Sequence, residues 1–361
     1  MKEEDIYGHI IGDVKQNLNG EMIVVLFEQC DLSCQSCYQD HDSTLGIDAV
    51  REKLIIIQKS LDTLKERGKT SVSINFMGGE LFSDRLPDSI FDDYLYLIEN
   101  TRLYAESIDM PIKISIPTNM IWKEKERVYN FLLKSDIILM ASYDPAGRFN
   151  PRTFELFKQN VLEFTDHITQ IGVVMTKPNI KKFMSNNVPF FDYLYENFQV
   201  CFDHYTHSEK AKISPEILMP KDVELRDFYK YMIQNYPKAY PFSETMDKNS
   251  QPMFCMRTVY VFPDDSFGSC GSVEKLISPS LKREGKKIIN ILKKPEVSPI
   301  EKKIEANWYK QYDCLSCEHM RRCSMGCFLN NHFYSTRTQE ACWLKEVYDY
   351  VDEKNEKTRI L

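Results

Sequence analysis

The chain reads as an α/β protein of six strand–helix units followed by a small irregular domain. Three observations predict this. From about residue 22 to about 235, short β-branched or alternating apolar runs take turns with helix-length amphipathic segments, the pattern of βαβ units on a parallel sheet. From about residue 237 the periodicity fades and Pro237, Pro241, Pro252 and Pro263 appear. Seven of the 11 cysteines fall between Cys255 and Cys342, so metal more than a hydrophobic core is expected to hold that segment. The chain therefore divides into residues 1–236 and residues 237–361.

Residues 1–20 read as a lead-in with a hairpin around Asn19-Gly20, a dipeptide suited to tight turns. The run Met22-Ile23-Val24-Val25-Leu26-Phe27 predicts a buried strand over 22–28. Ile47, Val50, Leu54, Ile57, Leu61 and Leu64 share one helical face, which predicts a helix over 47–67 closed by Gly68. Strand 71–76 alternates in the half-buried manner. Helix 89–105, strand 112–117, helix 124–134, strand 136–142, helix 152–166, strand 169–175, helix 184–198 and strand 199–205 follow. Six units fall short of the eight of a closed barrel. Ala341, Leu344, Val347, Tyr348 and Val351 predict a closing helix over 340–351, and the charged tail 352–359 is expected to fray.

Composition narrows the function classes. With 361 residues, 43% hydrophobic and 12% aromatic, the chain can bury a sizeable core. A net charge of −7 gives no support for a nucleic-acid surface. The start Met1-Lys2-Glu3-Glu4-Asp5 lacks the apolar core of a signal peptide, and no stretch approaches about 18 uninterrupted apolar residues. A cytoplasmic protein without a membrane partner is expected. Its cysteines then argue for metal ligation over disulfides. Cys201 stands alone and packs most simply as a small hydrophobe.

The chemistry is expected at Cys30-x3-Cys34-x2-Cys37, directly after the first strand. Three thiols then lie in a loop at a strand's C-terminal end, where α/β barrels place their chemistry. Three thiolates are one short of the four that close an iron–sulfur cluster, which leaves one iron open. A zinc site of three thiolates plus a histidine such as His41 is the plainer alternative.

The spacing and position of this triplet resemble the radical S-adenosylmethionine (SAM) superfamily. That resemblance implies an open (β/α)6 TIM-like barrel, a 4Fe–4S cluster on Cys30, Cys34 and Cys37, and SAM chelated by the open iron. Reduction of the cluster would cleave SAM to a 5′-deoxyadenosyl radical. Four further segments carry the likeness. Gly78-Gly79-Glu80 after the second strand matches the family segment that binds the SAM amino group. Ser115 and Asn119, in Ser115-Ile116-Pro117-Thr118-Asn119, match the polar strand ending near the ribose and carboxylate. Ser142, in Ala141-Ser142-Tyr143-Asp144, precedes Arg148 and Arg152. The resemblance assigns one of these arginines to the SAM carboxylate, and Arg152 is preferred because Thr153-Phe154-Glu155 looks like the family's helix start. Val173-Val174-Met175 resembles the strand flanking adenine. Two departures stand out: Pro145 replaces a common glycine, and Ser36 replaces the aromatic residue before the third cysteine, with Tyr38 following it instead.

The order Cys255-x14-Cys270, Cys314-x2-Cys317-x5-Cys323-x3-Cys327 and x14-Cys342 resembles the SPASM extension of radical SAM enzymes that modify peptides and proteins. In that pattern Cys314, Cys317, Cys323 and Cys342 hold an outer 4Fe–4S cluster, and Cys255, Cys270 and Cys327 hold an inner one. The inner cluster's fourth iron is left to solvent, a substrate thiolate or another residue. Asp265 stands where the pattern has glycine, which falls instead at Gly268. The resemblance thus implies three 4Fe–4S clusters and SAM. The expected partners are a precursor peptide, a separate leader-binding protein and a one-electron donor such as flavodoxin or ferredoxin. The expected activity is that of a maturase that crosslinks a ribosomally made peptide. An anaerobic sulfatase maturase that makes formylglycine is the alternative. That family's aspartate after the second SPASM cysteine is here Gly271.

Overall fold

The computed structural model describes residues 18–37, 39–206, 213–247, 258–265, 267–268, 316–323 and 342–360. Six parallel strands form in chain order: β1 Asn19–Val25, β2 Ser71–Met77, β3 Ile112–Thr118, β4 Ile138–Ser142, β5 Ile168–Met175 and β6 Gln199–His204. The sheet order is β6-β5-β4-β3-β2-β1, with β7 Thr258–Val261 added parallel to β1 and β8 Phe267–Gly268 antiparallel to β7. This is an open, TIM-like half-barrel, as the six-unit count requires.

Two helices cover the first units: α1 Lys53–Glu66 lies between β1 and β2, and α2 Ser89–Ser107 between β2 and β3. Next come α3 Lys125–Ser135, α4 Pro151–Glu163, α5 Lys177–Met184 and α6 Phe191–Asn197. The remaining helices are α7 Pro215–Leu218, α8 Asp222–Asn235, α9 Phe242–Met246 and α10 Trp343–Ile360. Alternation sets two faces on every strand. On β2, Val72, Ile74 and Phe76 are buried against helices, while Ser71, Ser73 and Asn75 are half-buried on the lumen face. There Ser71 Oγ donates to Asn19 Oδ1 (2.9 Å), and Asn19 Nδ2 donates to Ser73 Oγ (3.2 Å). The helix-side core is strongly aromatic. One cluster joins Phe82, Phe91, Tyr94, Trp122 and Phe131, and another joins Phe183, Phe191, Phe202, Phe228 and Phe242.

Several boundaries differ from expectation. Asn19-Gly20 is not a hairpin but the start of β1, paired with Ser71 and Val72, because a parallel ladder with β2 satisfies more backbone than a local turn. Of the helix expected over 184–198 only Phe191–Asn197 forms, and a helix that was not expected, Lys177–Met184, precedes it. Thr176 caps α5 early by accepting from Asn179 N (3.3 Å), and Pro189 lies in the break before α6. A capping box on Asn150 and Pro151 at the first helical position start α4. The tail expected to fray is helical to Ile360, held in part by an Arg322–Asp352 ion pair (2.6 Å).

Two segments from beyond residue 237 lie on the barrel itself. β7 lengthens the sheet at β1, and buried Lys53 of α1 latches the turn that follows. Its Nζ donates to Pro263 O (2.7 Å), Phe262 O (3.2 Å) and the Asp265 carboxylate. Helix α10 packs on α8 through Trp343, Leu344, Val347, Tyr348 and Val351, with Arg226 paired to Glu346 (3.0 Å) at the edge.

Candidate functional site

Cys30, Cys34 and Cys37 stand on one loop at the C-terminal edge of the sheet, all half-buried and none in a disulfide. The loop stays in register because the chain after β1 and the chain after β2 keep pairing beyond the ladder. Leu26 N donates to Met77 O (2.8 Å), Gly79 N to Phe27 O (3.1 Å) and Glu80 N to Gln29 O (3.1 Å). That approach requires glycine at 79, where a Cβ would sit 1.9 Å from the Gln29 carbonyl oxygen. Across the loop, Cys30 N donates to His41 O (3.2 Å), and Gln39 Nε2 donates to Gly78 O (2.7 Å). Two backbone N–H groups point at sulfur: Leu32 N at Cys30 Sγ (3.4 Å) and Gln39 N at Cys37 Sγ (3.5 Å).

Glu80, expected at the SAM amino group, is 2% exposed between the β2 and β3 loop ends. Its Oε1 accepts from Phe82 N (3.1 Å) and Thr118 Oγ1 (2.9 Å), and its Oε2 accepts from Asn119 N (2.7 Å). These bonds tie the β2 loop to the end of β3. Burial raises Glu80 to about 7, against the pull of those donors and of Arg148. Asn119 turns its Oδ1 back to Ile121 N (2.6 Å), and Ser115 Oγ donates to Asn75 Oδ1. Asn119 sits beside the Glu80 tie just past the end of β3, and Ser115 lies mid-strand against Asn75.

The two arginines separate clearly. Arg152 is exposed in the first turn of α4. Arg148 instead reaches inward: its Nη1 donates to Ser142 O (2.9 Å), and its guanidinium lies beside the Cys34 thiol. Burial works against its charge, but Cys34, Asp144 and Cys37 more than restore it. Sequence favoured Arg152 on the look of a helix start. The Asp144 carboxylate accepts from Gly147 N (3.0 Å) and so folds the turn that carries Arg148 back toward the thiols.

The donor set fits a cluster. Burial pushes Cys30 up to about 12, and Glu80, Cys34 and Cys37 add to this against the opposing Leu32 N–H. The Cys30 thiol is held protonated by its surroundings unless a cationic centre reverses that balance. Tyr38 lies outside the described residues, as do Cys255, Cys270, Cys314 and Cys327.

Of the C-terminal thiols, Cys317, Cys323 and Cys342 are half-buried and none is in a disulfide, and Cys323 and Cys342 pack against the barrel core. A polar lock fixes their segment to α10. Arg322 Nη2 donates to His319 Nδ1 (2.9 Å), so His319 Nε2 carries the hydrogen donated to Asp349 Oδ1 (2.7 Å). His319 is 4% exposed and stacks on Tyr348. Glu318, His319 and Asp349 lie close enough to hold an ion, but both His319 nitrogens are engaged and Lys345 already bridges Asp349 (3.0 Å) and Glu318 (3.3 Å). The cluster is a structural lock.

Comparison with protein-family models and with curated proteins gives no match. Solved structures do match. The structure of anSMEcpe with bound AdoMet covers 94% of this chain and 98% of its own at 16% identity, TM-score 0.57. The same protein with bound AdoMet and Kp18Cys peptide gives 16% identity, coverage of 94% and 98%, and TM-score 0.58. SuiB of Streptococcus suis gives 18% identity, coverage of 89% and 75%, and TM-score 0.51. At these identities the likeness is one of fold, and it extends over nearly the whole chain.

Proposed function

We propose that this chain, which has the partial-barrel fold of the radical SAM enzymes anSMEcpe and SuiB, is a radical SAM maturase acting on a peptide or protein. The observation that carries the reading is the three-thiol loop built against Gly79 with Arg148 turned onto Cys34. In this reading Cys30, Cys34 and Cys37 hold a 4Fe–4S cluster. When bound, that cluster would supply the electron that cleaves SAM to methionine and a 5′-deoxyadenosyl radical.

The chain's own residues then divide the work. Gly78 and Gly79 let backbone approach the SAM methionine, since no side chain stands in the way. Glu80 fixes the β2 and β3 loop ends to each other. Ser115 on β3, Asn119 just past it and Ser142 at the end of β4 supply neutral hydrogen-bonding groups. Arg148, in place of Arg152, offers a guanidinium fork to the SAM carboxylate. Cys314, Cys317, Cys323 and Cys342 would hold an outer auxiliary cluster, and Cys255, Cys270 and Cys327 an inner one, giving surplus electrons an exit.

A peptide substrate is supported by anSMEcpe, whose structure holds bound AdoMet and Kp18Cys peptide, and by the fold shared with SuiB. Crosslinking of a ribosomally made peptide is the first reading. Oxidation of a serine or cysteine to formylglycine is the second, favoured by the higher TM-scores to anSMEcpe. The two part on product chemistry: formylglycine is trapped by a hydrazide, and a crosslink is not. Among the described residues no helix is long and apolar enough to cross a membrane. An electron donor such as flavodoxin or ferredoxin, and a leader-binding protein, complete the proposed partners.

Iron and sulfide analysis of anaerobically purified protein tests the reading. About twelve irons, falling to about eight when Cys30, Cys34 and Cys37 are changed to Ala, are expected. Dithionite and SAM should release 5′-deoxyadenosine only from the unchanged protein. Zinc in place of iron, or no 5′-deoxyadenosine, would overturn it.

A further inference from the structure

The three-thiol loop follows β1, and Gly78-Gly79 follows β2. Close approach of a ligand favours glycine, but glycine also has the most backbone freedom to lose when a ligand fixes it. A group that fixes the pair in advance lowers that cost. In a trans peptide unit the N–H and the C=O point in opposite directions, so a partner on each side fixes the plane between them. The unit joining Gly78 to Gly79 has both. Gly79 N donates to Phe27 O (3.1 Å), and Gly78 O accepts from Gln39 Nε2 (2.7 Å). The first partner is backbone. The second is a side chain, and only the NH2 end of its amide can face a carbonyl oxygen.

Gln39 is itself held in place. It is buried on the arm that returns from the third thiol. Its own N–H points at Cys37 Sγ (3.5 Å). Next to it, Asp40 N donates to Glu28 Oε2 (3.1 Å), and Cys30 N donates to His41 O (3.2 Å) to close the arm. One residue thus meets the third thiol through its backbone and the glycine pair through its side chain. The other arm of the loop is pinned separately. Ser83 Oγ donates to Asp31 Oδ2 (2.8 Å), a contact that touches neither glycine.

Resting on the radical SAM reading above, we propose that Gln39 is a positioning residue for SAM. It locks the Gly78–Gly79 peptide plane in the orientation that receives the SAM methionine and ties that plane to the loop of Cys37. Gly78 O has two lone pairs, and Gln39 uses one of them. In the locked plane the other keeps a fixed direction. The bond from Gln39 also polarises the carbonyl, which makes it a better acceptor for an ammonium group. The loop's own fold rests on backbone pairing, so losing the Gln39 amide should spare the thiol site and weaken the SAM site.

The test is equilibrium dialysis of labelled SAM against anaerobic, cluster-loaded protein. Iron content and dithionite-driven 5′-deoxyadenosine release are measured on the same samples. Gln39→Met keeps the length of the side chain and removes the donor. Its iron content should match wild type, and its SAM Kd should rise about five- to tenfold. The rise should appear in KM, with kcat changed less than about twofold. Gln39→Glu sets a carboxylate oxygen against the Gly78 carbonyl, and its Kd should rise more than about tenfold. Ser83→Ala frees the other arm and should keep Kd within about twofold of wild type. Wild-type affinity in both Gln39 variants would overturn the latch alone. So would an equal loss in Ser83→Ala, or loss of iron from both Gln39 variants, which would make the bond part of the loop's fold. Wild-type protein that holds iron yet binds no SAM would overturn the radical SAM reading and the latch with it.

Discussion

The loop of Cys30, Cys34 and Cys37 is held by backbone stitched to backbone, with Gly79 pressed against Gln29 and Glu80 buried beneath it. The segment of Cys317 and Cys323 is held by side chains: His319 to Asp349, Arg322 to Asp352, and Lys345 across Glu318 and Asp349. The first arrangement needs the barrel core to be folded and little else. The second joins a short 3-10 turn, Met320–Arg322, to α10. The difference teaches that the SAM loop inherits its geometry from the sheet, whereas the C-terminal thiols depend on polar ties that bound metal would reinforce.

The comparison breaks most visibly at Gly79. Gly79→Ala drives a methyl into a backbone carbonyl, so we expect about 4 kcal/mol or more lost in thermal unfolding, with SAM binding lost as well. Gly78→Ala meets the end of the Leu81 side chain at 2.4 Å, which can swing aside, and should cost about 1 kcal/mol. Equal losses would show that the loop is not held by this backbone approach.

Lys53 carries a third kind of tie, anchoring the turn after β7 to the helix that follows the SAM loop. Lys53→Met leaves two carbonyls and Asp265 without their donor. A loss of about 2–4 kcal/mol is expected. Hydrogen exchange should quicken over residues 258–265 while β2 to β5 stay protected.

Acid sharpens the contrast from the first region's side. Glu80 has a folded value of about 7 against 4.5 for the ordinary group. The folded state therefore binds the extra proton, and stability is highest below about pH 4.5 and falls as pH rises toward 7. In cluster-free protein this slope should amount to on the order of 1–3 kcal/mol, and Glu80→Gln should flatten it in pH-dependent urea unfolding. The polar lock runs the other way. Burial opposes the Asp349 charge, but its bonds to His319 and Lys345 outweigh that and lower it, so its contribution is lost as pH falls through the carboxylate range.

The smallest effects lie within the lock. Asp349→Asn should cost about 1 kcal/mol and speed exchange over residues 316–323. Lys345→Ala, at an exposed pair, should cost less than about 0.5 kcal/mol. Chelation of iron from loaded protein should expose the same segment, leaving the barrel helices unchanged.

The sheet and its six repeats were legible because alternation and helical spacing are local. So was the Cys30–Cys37 loop, whose place after a β-branched run needs no long-range information. Helix starts were harder. Thr176 and Pro178 mark α5 as plainly as Asn150 and Pro151 mark α4, yet the helix was expected only from residue 184 onward. Within the site, Arg152 and Arg148 are indistinguishable as letters. Asp144 folding the turn separates them, and that needs coordinates.

By itself, then, the sequence determined the order of strands and helices, the three-thiol loop and the glycine that lets a second backbone approach it. These follow from periods of two and 3.6 residues and from the chemistry of thiols. The tertiary structure alone decided that Thr258–Val261 joins β1, that Glu80 ties the β2 loop to the end of β3, and that Arg148 lies beside Cys34. Each of those depends on which residues far apart in the chain come to share one side of a sheet. No local periodicity encodes that meeting, because it is settled by the register between strands and the packing of helices over them.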